Sequence, residues 1–278
     1  MNEPIQPLTT SIEQIISPRR RDLGDFEVGR VLPYMKRRSV GPFVFFDHMG
    51  PAEFKPGHGI DVRPHPHIGL ATVTYLFEGS FMHRDSLGSV QLITPGAMNW
   101  MSAGTGIVHS ERSPEDLRQA GHRVHGIQSW VALPKSAEQG PASFTHHPAA
   151  TLPVVKMTGA VLRVIAGAAY GVTSPVEVLV PTLYVDADLE AGAELAISAE
   201  HAERAIYVVD GAVSLDGTDV PALQMAVLNA GIPVTMTAKT KSRVMILGGA
   251  ALDAPRLMWW NFVASDDGLD LTDFLYQS

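Results

Sequence analysis

At 278 residues the chain is long enough for two domains of ordinary size and can bury a core without covalent staples. Hydrophobic residues make up 45% and charged residues 18%, which excludes a disordered chain, and the absence of cysteine excludes disulfides, zinc ribbons and a thiol nucleophile. A formal net charge of −8 argues against direct, unaided binding of nucleic acid, whose affinity rests on Lys and Arg at phosphates.

Met1 to Thr10 has no basic region followed by an apolar one, so it is not expected to act as a secretory signal. No apolar stretch approaches the roughly 18 residues that span a bilayer, so the expectation is a soluble, cytoplasmic protein with no membrane partner. Arg19-Arg20-Arg21 and Lys36-Arg37-Arg38 read as solvated loop charges. From there on, short runs rich in Val, Ile, Thr and Tyr alternate with turn signals, the pattern of strands in a β-sandwich or barrel. They include Ala71 to Phe77, Ser89 to Thr94, Val124 to Leu133, Leu179 to Val185, Ala205 to Val209, Met225 to Leu228 and Ser242 to Leu247. Glycine (25) and proline (20) together exceed the usual share of about 12%, as many hairpins require. Helical signals are few. Ser113 to Gln119 starts as a helix would, with Ser113 as cap and Pro114 at the first turn, and Leu269 to Tyr276 is a second short candidate.

One pattern occurs twice. Tyr75-Leu-Phe-Glu-Gly79 leads through a strand pair to Ser102-Ala-Gly104, and Tyr207-Val-Val-Asp-Gly211 leads likewise to Asn229-Ala-Gly231. The glycines are 25 residues apart in the first copy and 20 in the second. Two tandem β units follow, divided in the Gly/Pro/Ala-rich stretch from Gly140 to Pro153, with domains expected at 1–145 and 146–278.

Chemistry concentrates in the first copy. His65-Pro-His67 puts two imidazoles on one side of a strand, and Pro64 and Pro66 suit an edge or the start of a strand. His109-Ser-Glu111 repeats the spacing with an imidazole and a carboxylate. Together they offer three nitrogens and one oxygen to one centre, a donor set that suits first-row metals such as Fe(II), Mn, Ni or Cu. Aligning the second copy on the first puts Met236 at the position of His109 and Ala238 at that of Glu111, so the second barrel is expected to be metal-free.

Gly59-x₅-His65-x-His67, Gly79, Pro95-Gly96 and His109 resemble the two cupin motifs. More closely, Phe46-Asp-His-Met-Gly-Pro51, the run from His65 to Tyr75, Gly104-Thr-Gly-Ile-Val-His-Ser-Glu111 and Trp260-Asn-Phe-Val263 resemble the pirin family. The resemblance implies an all-β bicupin of two jelly-roll barrels, with His65, His67, His109 and Glu111 holding one divalent metal in the first barrel. Fe(II) is favoured, with Mn, Ni, Cu, Co or Zn as alternatives, and the resemblance implies a monomer. Ala71 and Thr72 stand where many cupins place a ligand Glu, which leaves Glu111 as the carboxylate. The resemblance implies a quercetin 2,3-dioxygenase-like enzyme that opens a flavonol ring with O2, Glu111 serving also as catalytic base. The alternative it allows is a metal-dependent regulatory protein with a protein partner. Asp47, His48, Phe77, Met98, Trp100 and His125 are candidate pocket residues, with core packing as the competing role for the aromatics, Met98 and His125. His83 and Asp85 read as a polar hairpin tip. His58, His122, His146, His147 and His201 read as solvent-exposed.

Overall fold

The computed structural model describes residues 10–24 and 26–265, and nearly all its regular structure is strand. The first half of the chain supplies β1 (Ile12–Ile16), β2 (Arg19–Asp22), β3 (Glu27–Leu32), β4 (Phe43–Phe54), β5 (Asp61–His67), β6 (Leu70–Glu78), β7 (Phe81–Asp85), β8 (Val90–Ile93), β9 (Met98–Ser102), β10 (Ile107–Arg112), the helix α1 (Glu115–Ala120), β11 (His122–Ala132) and β12 (Ser143–His147). The second half supplies β13 (Val154–Met157), β14 (Ala160–Ala169), β15 (Val172–Thr173), β16 (Thr182–Leu189), β17 (Glu194–Ile197), β18 (Glu203–Asp210), β19 (Ala212–Leu215), β20 (Thr218–Pro221), β21 (Met225–Leu228), β22 (Val234–Ala238), β23 (Ser242–Gly249), β24 (Leu257–Trp259) and β25 (Phe262–Ala264). No helix among the described residues is long and apolar enough to cross a membrane.

These strands build two jelly-roll barrels of the same plan. In the first, a sheet ordered β12-β9-β6-β11-β4-β3-β2 is joined by β5-β10-β7-β8; in the second, β1-β21-β18-β23-β16-β14-β13 is joined by β17-β22-β19-β20. Strands β4 to β11 thus recur in order as β16 to β23, and the repeated glycines Gly79 and Gly211 follow β6 and β18 with φ of 84° and 82°.

The division between the barrels is less simple than one cut near residue 145. β12 crosses that position and pairs throughout with β9, while β1, near the start of the chain, pairs with β21 of the second barrel. Each barrel therefore takes an edge strand from the segment that leads into the other, which covers backbone groups left open at a sheet edge. Two local expectations also shift. The run from Leu179 starts its strand only at Thr182, because Pro181 has no N–H to give a ladder. Helix α1 is capped by Pro114 without a side-chain bond; Ser113 Oγ instead accepts from Ile60 N–H (2.9 Å) and lies 2.8 Å from His122 Nε2. The helix candidate at Leu269 to Tyr276 lies outside the described residues.

The largest apolar core lies between the barrels. Phe43, Phe46, Val73, Tyr75, Met98, Ile127 and Val131 from the first large sheet meet Tyr184, Ala205, Tyr207, Met225, Val227, Met245 and Leu247 from the second. A separate core of Leu, Ile, Val and Ala, with Met236, fills the second barrel. The central strands are consequently buried on both faces, and the interior of the first barrel is the face on which Thr74, not Tyr75, projects.

After the second barrel the chain returns to the first. The β24–β25 hairpin docks there through a parallel bridge from Phe262 to Ile68, and Val263 N–H donates to the Ile68 carbonyl (3.1 Å). Gly69 makes this docking possible: its φ is 70°, and a Cβ would stand 1.9 Å from the Val263 carbonyl oxygen. Gly69→Ala is expected to lose about 2 kcal/mol or more, since the left-handed conformation alone costs 1–2 kcal/mol and the clash adds to it. A urea titration followed by tryptophan fluorescence checks this, because Trp259 and Trp260 sit on the displaced hairpin.

Candidate metal centre

Antiparallel pairing of β5 with β10 sets His65 directly opposite His109, and His67 lies two residues along on the same side. The three ring centroids are 4.4 to 5.0 Å apart, and one nitrogen from each ring falls within 4.8 Å of the others. Backbone carbonyls fix two of the rings. His65 Nδ1–H donates to the Arg63 carbonyl (2.8 Å) and His67 Nδ1–H to the Asn261 carbonyl (3.0 Å). A carbonyl only accepts, so in the neutral rings both Nε2 atoms carry a bare lone pair, the arrangement that orients metal-binding imidazoles. Burial pushes the pKa of His67 down to about 3 and that of His109 well below its ordinary value, with the neighbouring imidazoles adding to both. His67 and His109 are thus neutral donors.

The residues fit a metal ion. His67 Nε2 and His109 Nε2 are 3.1 Å apart, close to the spacing of two nitrogens bound at right angles to one ion at about 2.1 Å. If His109 Nε2 carried a proton toward His67 instead, its Nδ1 would keep a lone pair, and that atom is buried with no hydrogen-bond partner. Either tautomer leaves a buried lone pair that a cation would satisfy.

Glu111 joins through a second, overlapping group. Its carboxylate, His109 and His83 also have donor atoms within 4.8 Å of one another, and Glu111 stands opposite His83 in the β10–β7 register. A bulge between His109 and Glu111 in the pairing with β5 breaks the simple two-residue repeat there. His83 is not at a hairpin tip: it is 1% exposed, its Nε2 is 3.0 Å from Asp85 Oδ2, and its ring stacks on Phe144 at 4.3 Å. The alternation of β7 carries it inward with Phe81, a period-two signal that a short polar run hides. His122 and His146 are also partnered, with Ser113 and Asn99 respectively.

A row of polar side chains crosses the floor of this barrel. Register places Arg19, Arg30, Asp47, Gln128, Thr74, Asn99 and His146 side by side on successive strands from β2 to β12. Arg30 grips Asp47 through two bonds (2.9 and 2.8 Å), and the Thr74 hydroxyl donates to Glu111 Oε1 (2.8 Å) and lies 2.9 Å from Gln128 Oε1. Burial raises the pKa of Asp47, while Arg30 acts in the opposite direction. The corresponding row in the second barrel is Val164, Val185, Ile246, Ile206 and Ala226. Where the first barrel has His65, His67, His83, His109 and Glu111, the second has Leu195, Ile197, Val213, Met236 and Ala238, all in its apolar core.

A cavity of about 700 Å³ opens from the histidines and Glu111, walled by Phe45, Trp130, Gln128 and Asp47. Of the candidate pocket residues, Asp47 alone lines it. His48 points to the other face of β4, with Nδ1 2.8 Å from the Tyr207 hydroxyl and Nε2 2.7 Å from His125 Nε2. Phe77 packs on His125 and under the Arg243 guanidinium at the barrel–barrel cleft, and Met98 and Trp100 belong to the core between the barrels. Asn261, Thr74, Gln128, Arg30 and His83 were not anticipated at the site. Only the Trp260-Asn-Phe-Val263 motif signalled the first of them.

Thr74→Val keeps the shape but removes the donor to Glu111. Metal affinity, measured by competition with a chromophoric chelator, is expected to fall about 10- to 100-fold, and Thr74→Ser to retain it.

Comparison with known proteins agrees with this architecture. The Pirin family profile matches residues 25–131, and that of the Pirin C-terminal cupin domain matches residues 184–268. A pirin-like protein from Caulobacter vibrioides is 52% identical over 257 residues, covering 91% of this chain and 88% of the relative. A Pseudomonas aeruginosa protein to which quercetin 2,3-dioxygenase activity is ascribed is 38% identical, covering 92% of this chain and 80% of its own. The crystal structure of quercetin 2,3-dioxygenase from Acinetobacter baumannii superposes with a TM-score of 0.87 at 37% identity, covering 94% of this chain and 86% of that one. With both barrels matched in order and a relative sharing half its residues, the chain belongs to the pirin family.

Proposed function

We propose that the protein is a metal-dependent dioxygenase that opens the ring of a flavonol-like phenol with O2. The observation that carries this reading is the contrast between the barrels. One fills its interior with aliphatic side chains, and the other has imidazoles and a carboxylate at the same positions, at the end of an open cavity. Burying polar groups costs free energy unless they are bonded, so their presence here reflects chemistry, not packing. The similarity to the Acinetobacter and Pseudomonas proteins supports the flavonol substrate class.

His65, His67, His109 and Glu111 would hold one divalent ion, with Fe(II) favoured among Fe, Mn, Ni, Cu, Co and Zn. Such an ion supplies Lewis acidity toward a phenol oxygen and access to the chemistry of O2. The chain's own residues do the rest. Asn261 and Arg63 carbonyls hold two imidazoles in the binding tautomer. Thr74 occupies one oxygen of Glu111 and leaves the other to take the proton of the substrate hydroxyl. Phe45 and Trp130, stacked at 4.0 Å, give a flat apolar wall for an aromatic ring and keep water from it. With O2 entering and carbon monoxide leaving, both oxygen atoms of O2 end in the products.

Metal-stripped protein reloaded with each ion in turn, assayed for quercetin loss and O2 uptake, tests the reading. Activity with at least one ion is expected, falling about 10²-fold or more in His65→Ala and in Glu111→Ala. Turnover that survives both substitutions would overturn it.

A further inference from the structure

The cavity carries more positive charge than a neutral flavonol needs. Arg19, Arg21, Arg30 and Arg63 all line it, in a chain whose net charge is −8. β2 explains two of them: alternate residues of a strand share a face, so Arg19 and Arg21 turn toward the cavity while Arg20 turns away and pairs with Glu27 (3.5 Å). The expected solvated loop at this cluster is therefore an edge strand with a charged face. Pairing with β3 then sets Arg19 directly opposite Arg30, a like-charge neighbour that costs stability.

Among the described residues Arg30 is the one of the four in an ion pair, with Asp47, and its guanidinium lies over the Phe45 ring at 4.4 Å. Arg19 reaches the Pro33 carbonyl, which carries no charge. Among the described residues, Arg19, Arg21 and Arg63 have no ion pair with a carboxylate. Arg63 is also tied to the centre, since its own carbonyl holds His65. Trp260, 58% exposed, lines the same cavity and offers a flat surface beside the guanidinium groups.

We propose that Arg19, Arg21 and Arg63 form an anion-recognising mouth, and that the substrate is a phenolic or enolic acid. Its oxygens lie at the histidine–glutamate centre and its carboxylate lies against the arginines. Planar guanidinium groups match a carboxylate with paired, charge-assisted hydrogen bonds, and three of them with no carboxylate ion pair among the described residues favour an anion over a neutral ring. The proposal rests on the dioxygenase reading for the inner end of the cavity and adds the chemistry of the outer end.

The test uses the metal-loaded protein without O2 and two probes, 3-hydroxyflavone and its 4′-carboxylate, titrated by tryptophan fluorescence quenching in low and in 300 mM salt. The carboxylate is expected to bind about tenfold tighter in low salt, with the advantage shrinking as salt screens it. In the double variant Arg21→Gln/Arg63→Gln the ratio of the two dissociation constants falls toward one, and Arg63→Glu lowers it in the same direction. Both side chains are exposed, and an unchanged far-ultraviolet circular dichroism spectrum verifies that the variants fold. Equal binding of the two probes by the unmodified protein, or a preference that survives the double variant, would overturn the proposal. Admitting O2 separates it from the reading it rests on. Preferential binding with neither probe oxidised leaves the mouth standing and removes the dioxygenase, whereas oxidation without preference does the reverse.

Discussion

The register that sets His65 opposite His109 constrains where every other polar group in the first barrel can stand. Side chains on a strand alternate in direction, so a slip of one residue would turn both imidazoles away from each other and bring Val108 and Ser110 inward. With the register as it is, His67 falls beside His109, Glu111 falls opposite His83, and Thr74 on the facing sheet meets the Glu111 carboxylate. The Pro-His-Pro-His run suits this strand because β5 sits at a sheet edge, where two missing N–H groups cost no ladder partner.

A barrel that keeps polar groups inside gives up apolar burial, worth about 25 cal/mol for each Å² removed from water. The first barrel divides its apolar residues among small clusters around the cavity, whereas the second has one continuous core. The extensive core between the barrels offsets this, since it anchors the outer face of the first barrel's large sheet on the second. The second barrel thus acts as a support for the first. Its own interior needs no chemistry, and the residues at the repeated positions, Leu195, Ile197, Met236 and Ala238, have the aliphatic character of packing side chains.

How far the sequence could be read follows from the same physics. His65, His67, His109 and Glu111 were legible because a spacing of two residues survives in any strand, and the duplication was legible because turn glycines hold their positions. Which face of a strand looks into the barrel was not. Tyr75 and Thr74 are both buried, so burial leaves no apolar–polar alternation to tell cavity from interface, and for Phe77, Met98 and Trp100 the structure has the packing role and not the pocket. His48 and His125 pair with each other away from the cavity, the structural role that the sequence leaves open beside the pocket one. His83 was obscured by polar neighbours, and Arg19 and Arg21 by a charged run that reads alike as loop or edge strand. The contribution of Asn261 is a backbone carbonyl, which no side-chain pattern can announce.

The exchange of edge strands has a bearing on the order in which the molecule can be assembled. β1 leaves the ribosome before either barrel, yet it pairs with β21, a strand made after the whole first barrel, with Ile16 against Met225. Contacts so distant in sequence close late, because the intervening loop must be ordered before they form. The carbonyl of Asn261 that holds His67 is made later still. The nascent first barrel therefore waits, with an incomplete centre, for a segment made after the second barrel, and a complete histidine cluster is a sign that synthesis has run through that barrel and the hairpin beyond it.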